Sequence, residues 1–360
     1  MLDHVSPFLS LLASVLVFMP LAWHVKSRNV GTIVLSIWLI LGNLDNFINS
    51  MVWWNTTANK APGFCEISIR LRHALFVAIP ASNLVIARKL ESIASTRQVR
   101  ASAADRKKSV IIDLLISVGV PVIYVSLMIV NQSNRYGIVE EAGCWPILVP
   151  SWVWVLLVAV PVVLISLCSA VYSVVAFRWF WIRRRQFQAV LASSASTINK
   201  SRYVRLLMLT AIDMLLFFPV YVGAIATEIK HAITTPYGSW SSVHSGFSQV
   251  LSFPAAAIEM QSSFRRNLIL SRLVCPLSAY IFFAMFGLGL EARQGYKNAF
   301  GRLLVFFKLR KESKPAVPEP IVADIEVVTF QSHDPYAVAE TSPYSEKSGA
   351  DTPKYEDSWK

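Results

Sequence analysis

Residues 64–89 read FCEISIRLRHALFVAIPASNLVIARK, and the fold turns on whether this stretch crosses a membrane. Its uninterrupted apolar part, Ala74 to Ala87, is shorter than the roughly 18–20 residues that a bilayer requires. Arg70, Arg72 and His73 stand immediately before it. On either side lie six longer apolar segments, at about 7–25, 30–54, 110–130, 150–177, 206–227 and 269–290.

Charge decides the case. The loop after residue 87 carries Arg88, Lys89, Arg97, Arg100, Arg106, Lys107 and Lys108, and the loop after the fifth segment carries Arg178, Arg183, Arg184, Arg185, Lys200, Arg202 and Arg205. Counting 64–89 as a span puts both loops on one side, together with Lys26, Arg28 and the basic stretch after Glu291. Omitting it sets the two richest loops on opposite faces, against the positive-inside rule. The expectation is an all-α integral membrane protein, a seven-transmembrane helix bundle over residues 1–290. Its N-terminus is extracellular and its C-terminus cytoplasmic. No positive n-region is present in Met1 to His4, so no cleavable signal peptide is expected.

Composition agrees. Of the 360 residues, 54% are hydrophobic and 16% charged, against roughly 25% charged in a soluble domain. The net charge of +12 sits in short blocks between apolar runs, the pattern of cytoplasmic loops facing anionic lipid rather than of a nucleic-acid surface. Residues 291–310 mix basic and aromatic side chains and read as an amphipathic cytoplasmic helix. Residues 311–360 are polar and proline-bearing, a disordered cytoplasmic tail by composition. Residues 246–258 are semi-apolar, short and broken by Pro254, and read as interfacial or loop structure.

Cys65 opens the third span on the outside and Cys144 lies in the second outer loop, so an oxidising exterior allows a disulfide between them. Cys168 and Cys275 fall within spans and read as small packing residues. Asn55 and Asn131 head acceptor sequons in outer loops. Charged groups within the bilayer are costly and face the bundle interior. Asp45, beside Asn46 and Asn49, is expected to pair with Arg70 or Arg72, with direct ligand contact as the other reading. Asp213 lies in the inner half of the sixth span and Glu228 at its outer end. Prolines 20, 80, 121, 161, 219 and 276 fall inside spans and are sites for kinks.

Catalytic motifs are missing from the sequence: it has no H-E-x-x-H, no P-loop and no nucleophile elbow. The six histidines are scattered without metal-ligand spacing, and no metal or cofactor is expected. Residues 269–290 contain Arg272 but no lysine, which removes a retinal Schiff base. The chain is not expected to be an enzyme. A multi-span transporter is the alternative to a receptor. It would favour internal repeats, and the two halves show no similarity.

Several stretches together resemble the fungal mating-pheromone receptors of the a-factor branch, class D G-protein-coupled receptors that detect prenylated peptides. They are LGNLDNFINSMVWWN (residues 41–55), Cys65-Glu66-Ile67, GCWP (143–146), RRRQF (183–187) leading into SRYVRLLML (201–209), YGSWSSVHSGFSQV (237–250) and FGLGLEA (286–292). The pattern is of the basidiomycete type and most like receptors of mushroom-forming fungi. The resemblance implies a plasma-membrane receptor that binds a farnesylated peptide pheromone and activates a heterotrimeric G protein of the mating response. Ligand contacts are expected among Asp45, Asn49, Arg70, Arg72, His73, Trp145, Tyr221, Glu228, Trp240 and Phe247, though aromatic residues at span ends also serve as an interfacial belt. Arg88, Arg183, Arg184 and Arg185 are expected at the G-protein face, where they also set topology. The motifs leave open which pheromone and which G-protein subunit are used.

Overall fold

The computed structural model describes residues 5–95, 102–183, 200–289, 292 and 296. Arg184, Arg185, nearly all of the expected amphipathic helix and the tail after residue 310 lie outside the described residues. Among the described residues, seven helices are long and apolar enough to cross a membrane: Ser6–Lys26, Val30–Val52, Pro62–Ala94, Ala103–Asn131, Trp152–Arg183, Ser201–Gly223 and Phe264–Phe286. They are called spans one to seven. The chain is therefore a multi-pass, mainly helical membrane protein. Hydropathy marks the apolar depth and not the helix ends, so several helices outrun the expected segments. The sixth belongs to a helix running Lys200–Thr234, and the seventh starts at Ser262, with a polar first turn ahead of its apolar run.

The third span is the hub. In its most apolar window 78% of residues are buried, against 22–56% in the other spans. Residues surrounded by other helices need small size and fit more than hydropathy, which explains why this span has the weakest apolar run. Large apolar side chains elsewhere point outward, among them Ile123, Val171, Val174 and Leu215. So broad an apolar exterior is the surface of a protein solvated by lipid.

The fourth and fifth spans each contain one π-helical turn, Leu115–Gly119 and Val155–Ala159, just ahead of Pro121 and Pro161. Proline lacks the N–H that would bond the carbonyl four residues back, and for Pro121 that carbonyl is Ser117. It accepts instead from the Trp38 indole at 3.1 Å. The Tyr124 hydroxyl likewise reaches the Val158 carbonyl, inside the second π turn, at 3.3 Å. The irregular turns thus become cross-links between neighbouring spans.

Two ends of the bundle differ. One carries the junctions rich in Lys and Arg and is called the basic end. The other carries a disulfide between Cys65 and Cys144, with Cα atoms 5.2 Å apart, and is called the disulfide end. There the chain forms a three-stranded sheet in the order β2-β1-β3. Strand β1 is Tyr136–Val139, β2 is Gly143–Trp145 and β3 is Val250–Phe253. The β1–β2 hairpin is antiparallel with Ile138 opposite Cys144, and β3 lies parallel to β1 with Gly137 opposite Leu251. Residues 246–258, read from sequence as interfacial or loop structure, supply β3 and the short helix Ala255–Met260. The Glu140 carboxylate accepts from the Ala255 amide at the start of that helix, at 2.8 Å.

Candidate functional site

The tip of the hairpin, Glu140 to Gly143, is drawn into the mouth of the bundle. Its backbone is committed to this shape by positive φ at Glu141 (66°) and Gly143 (75°). Its anchors come from three helices. The Asn49 side-chain oxygen of span two accepts from the Cys144 amide at 2.8 Å. Arg72 of span three donates to the Ala142 carbonyl at 3.2 Å, and Arg272 of span seven donates to the Glu141 carbonyl at 3.0 Å. The Trp53 carbonyl takes the Glu141 N–H at 2.9 Å.

Under this roof lies a concavity with about 530 Å3 of atom-free space, part of it open to solvent. Leu75, Phe76 and Ile79 of span three, Tyr221 of span six and Val274 and Cys275 of span seven make its walls mostly apolar, with Trp145 and Pro146 above. Asn46, Arg72 and Ser271 supply the polar groups. A largely apolar concavity with a few placed polar groups is the usual form of a small-ligand site.

Arg72 organises the polar side. Its Nε lies 2.8 Å from the Asp45 carboxylate, with both side chains nearly sealed from solvent. Its guanidinium sits over the Trp145 ring, 5.3 Å from the centroid. Asp45 is held in turn by the Asn49 amide at 3.0 Å, which also reaches Ser68 at 2.9 Å. Asn43 donates to the Leu39 carbonyl at 2.7 Å and to Cys275 Sγ at 3.3 Å, fastening spans two and seven below the cavity.

Of the ten expected ligand contacts, Arg72, Trp145 and Tyr221 line the cavity, and Asp45 and Asn49 support it. The other five lie elsewhere. Arg70 turns outward and pairs with Glu66 at 2.6 Å, and Glu66 also meets Arg135 at 2.6 Å. His73 is buried, stacked on Tyr124 with centroids 4.4 Å apart. The Glu228 carboxylate accepts from Asn267 at 3.3 Å, joining spans six and seven. Trp240 is exposed and stacks on His244, and Phe247 makes a tilted contact with that imidazole, centroids 5.5 Å apart. Arg272 was singled out in the sequence only for not being lysine. A cation in a span was itself a signal of function.

The two sequons part company. Asn55 is exposed, whereas Asn131 is fully buried with neither amide atom partnered. A glycan on Asn131 has no room in this fold.

At the basic end, Arg88 pairs with the Asp113 carboxylate and donates to the Ser109 carbonyl at 3.2 Å, locking span three to span four. Arg183 donates to the Ala94 carbonyl at 3.2 Å. Tyr203, fully buried, reaches the Leu90 carbonyl at 3.3 Å and the Ala176 carbonyl at 3.4 Å. Arg205 donates to the Met285 carbonyl at 3.2 Å. Spans three, five, six and seven are thereby closed together at this end.

Residues 5–306 match the family model described as "Pheromone A receptor". The chain is 72% identical over 351 residues to "Pheromone receptor 1" of Mycosarcoma maydis, covering 98% of each chain. It is 70% identical over 358 residues to "Pheromone receptor 1" of Ustilago hordei, covering 99% of this chain and all of that one. Identity to "Pheromone B alpha 1 receptor" of Schizophyllum commune is 36% over 307 residues, covering 85% of this chain and 48% of that one.

Proposed function

The chain belongs to the pheromone A receptor family, and from that premise we propose that it is a plasma-membrane receptor for a farnesylated peptide mating pheromone that activates a heterotrimeric G protein. In this reading the disulfide end faces the exterior, the basic end faces the cytoplasm, and residues beyond 290 are cytoplasmic, first as an amphipathic helix and then as a tail.

The observation that carries the reading is the roofed cavity. Its apolar walls of Phe76, Ile79 and Val274 suit an isoprenoid chain, and Arg72, Asn46 and Ser271 offer hydrogen bonds to peptide carbonyls. The hairpin tip that forms the roof is tied to spans two, three and seven, so a ligand seated beneath it acts on three helices at once. Activation is then a population shift. Pheromone favours a conformer in which the basic ends of spans five and six separate from span three. In that conformer the Tyr203 and Arg183 contacts give way, and the exposed groove with Arg88 and the Arg183 to Arg185 block receives the G protein.

The test is expression in a pheromone-responsive yeast that lacks its own receptor, with reporter output scored against synthetic farnesylated peptides and their unfarnesylated counterparts. A response that needs the farnesyl group is expected. Equal responses to both forms, or none at all with normal surface delivery, contradict the reading.

A further inference from the structure

A second, smaller cavity lies between spans three, five and six on the basic-end side of the first. Ile79 and Tyr221 line both. Its polar lining is Asn83, Ser166, Ser169 and Asp213, all at most 5% exposed. The Asn83 amide donates to one Asp213 oxygen at 2.6 Å. What remains is four oxygens without a partner: Asp213 Oδ1, Asn83 Oδ1, Ser166 Oγ and Ser169 Oγ.

The two serines make the point sharper. A serine in a helix ordinarily turns its hydroxyl onto the carbonyl four residues back, as Ser82 does here at 2.8 Å and Ser117 at 2.7 Å. Ser166 and Ser169, one turn apart on span five, forgo that bond and line the cavity instead. A carboxylate oxygen, an amide oxygen and two hydroxyls therefore border one space from three helices. Leaving a buried carboxylate with a single amide donor costs several kcal/mol, and a polar void of this kind takes up a small particle, a water or an ion.

We propose that this cavity binds a monovalent cation, sodium being the natural candidate, through Asp213, Asn83, Ser166 and Ser169 with water completing the shell. All four donors are hard oxygens, and one carboxylate balances one positive charge. Calcium and magnesium sites commonly recruit several charged oxygens or phosphates. The ion ties spans three, five and six in the closed arrangement. If the chain is the receptor proposed above, linkage then makes sodium and agonist antagonistic.

The test needs no pheromone, so its failure is separate from failure of the receptor reading. The full chain in detergent is unfolded thermally in about 0.1 M sodium chloride and in choline chloride of matched ionic strength. Sodium is expected to raise Tm by about 2–5 °C in a saturable way. The rise should vanish in Asp213→Asn and shrink in the Ser166→Ala/Ser169→Ala double variant, which decides the matter if Asp213→Asn fails to fold. Identical Tm in the two salts for the unmodified chain overturns the proposal, as does an equal sodium effect in the unmodified chain and the serine double variant.

Discussion

Arg72 of the third span and Asp45 of the second hold each other at 2.8 Å, and the same guanidinium grips the hairpin tip through the Ala142 carbonyl. Removing one partner of a buried pair leaves the other charge unpaired, at about 3–5 kcal/mol. Arg72→Ala should therefore lower Tm sharply, while Arg72→Gln combined with Asp45→Asn should recover at least half of the loss. Pheromone sensitivity should not return with stability, because the bond to Ala142 and the stacking on Trp145 are weakened in both variants. Thermal unfolding paired with dose–response curves separates the two effects.

Arg70 and Arg72 are two residues apart in sequence, yet one is exposed and paired with Glu66 and the other faces the cavity. Arg70→Ala and Trp240→Ala should leave the half-maximal pheromone dose within about twofold, whereas Tyr221→Ala should raise it at least tenfold by removing cavity wall worth about 1.5–3 kcal/mol. A tenfold loss in Trp240→Ala at normal surface levels would move the ligand to the exposed aromatic cluster.

Two glycines give a matched comparison. A Cβ on Gly143, which holds φ at 75°, would sit 2.2 Å from the Asn49 side-chain oxygen, while one on Gly63 meets nothing within 4 Å. Gly143→Ala should cost about 1–3 kcal/mol and expel the hairpin tip, seen as faster proteolysis of the 132–151 loop and a weakened pheromone response. Gly63→Ala should match the unmodified protein in both assays.

Tyr203 donates from the start of the sixth-span helix to carbonyls of spans three and five. Tyr203→Phe deletes those bonds and keeps the ring stacked on Phe180. At about 0.5–1.5 kcal/mol of lost closure, basal reporter output should rise roughly two- to tenfold without pheromone. Unchanged basal output with normal expression would mean that the tyrosine does not hold the closed state.

How far the sequence could be read varies by element, for physical reasons. Spans set by bilayer solvation were legible as apolar runs, and the third, packed among helices instead of lipid, needed charge parity. The Asp45–Arg72 contact was legible as one of two pairings because opposite charges in a membrane must meet. The sheet was not. Strands β1 and β3 are four residues each and are separated by two spans, and no local periodicity encodes a parallel pairing across that distance. Tyr221 was picked out as an aromatic near an outer end, while Phe76 and Val274 look like any packing residues until three helices bring them to one wall.

The central claim, that the cavity beneath the hairpin receives the isoprenoid of the pheromone, is tested most directly by photocrosslinking. A farnesylated peptide with a photoreactive group in the isoprenoid is bound to membranes bearing the full chain, irradiated, and its adducts mapped by mass spectrometry. Adducts on Phe76, Ile79, Tyr221 or Val274 that disappear with excess unlabelled pheromone are the result predicted here. Competable adducts confined to outward residues such as Val171, Val174 and Leu215 would contradict it.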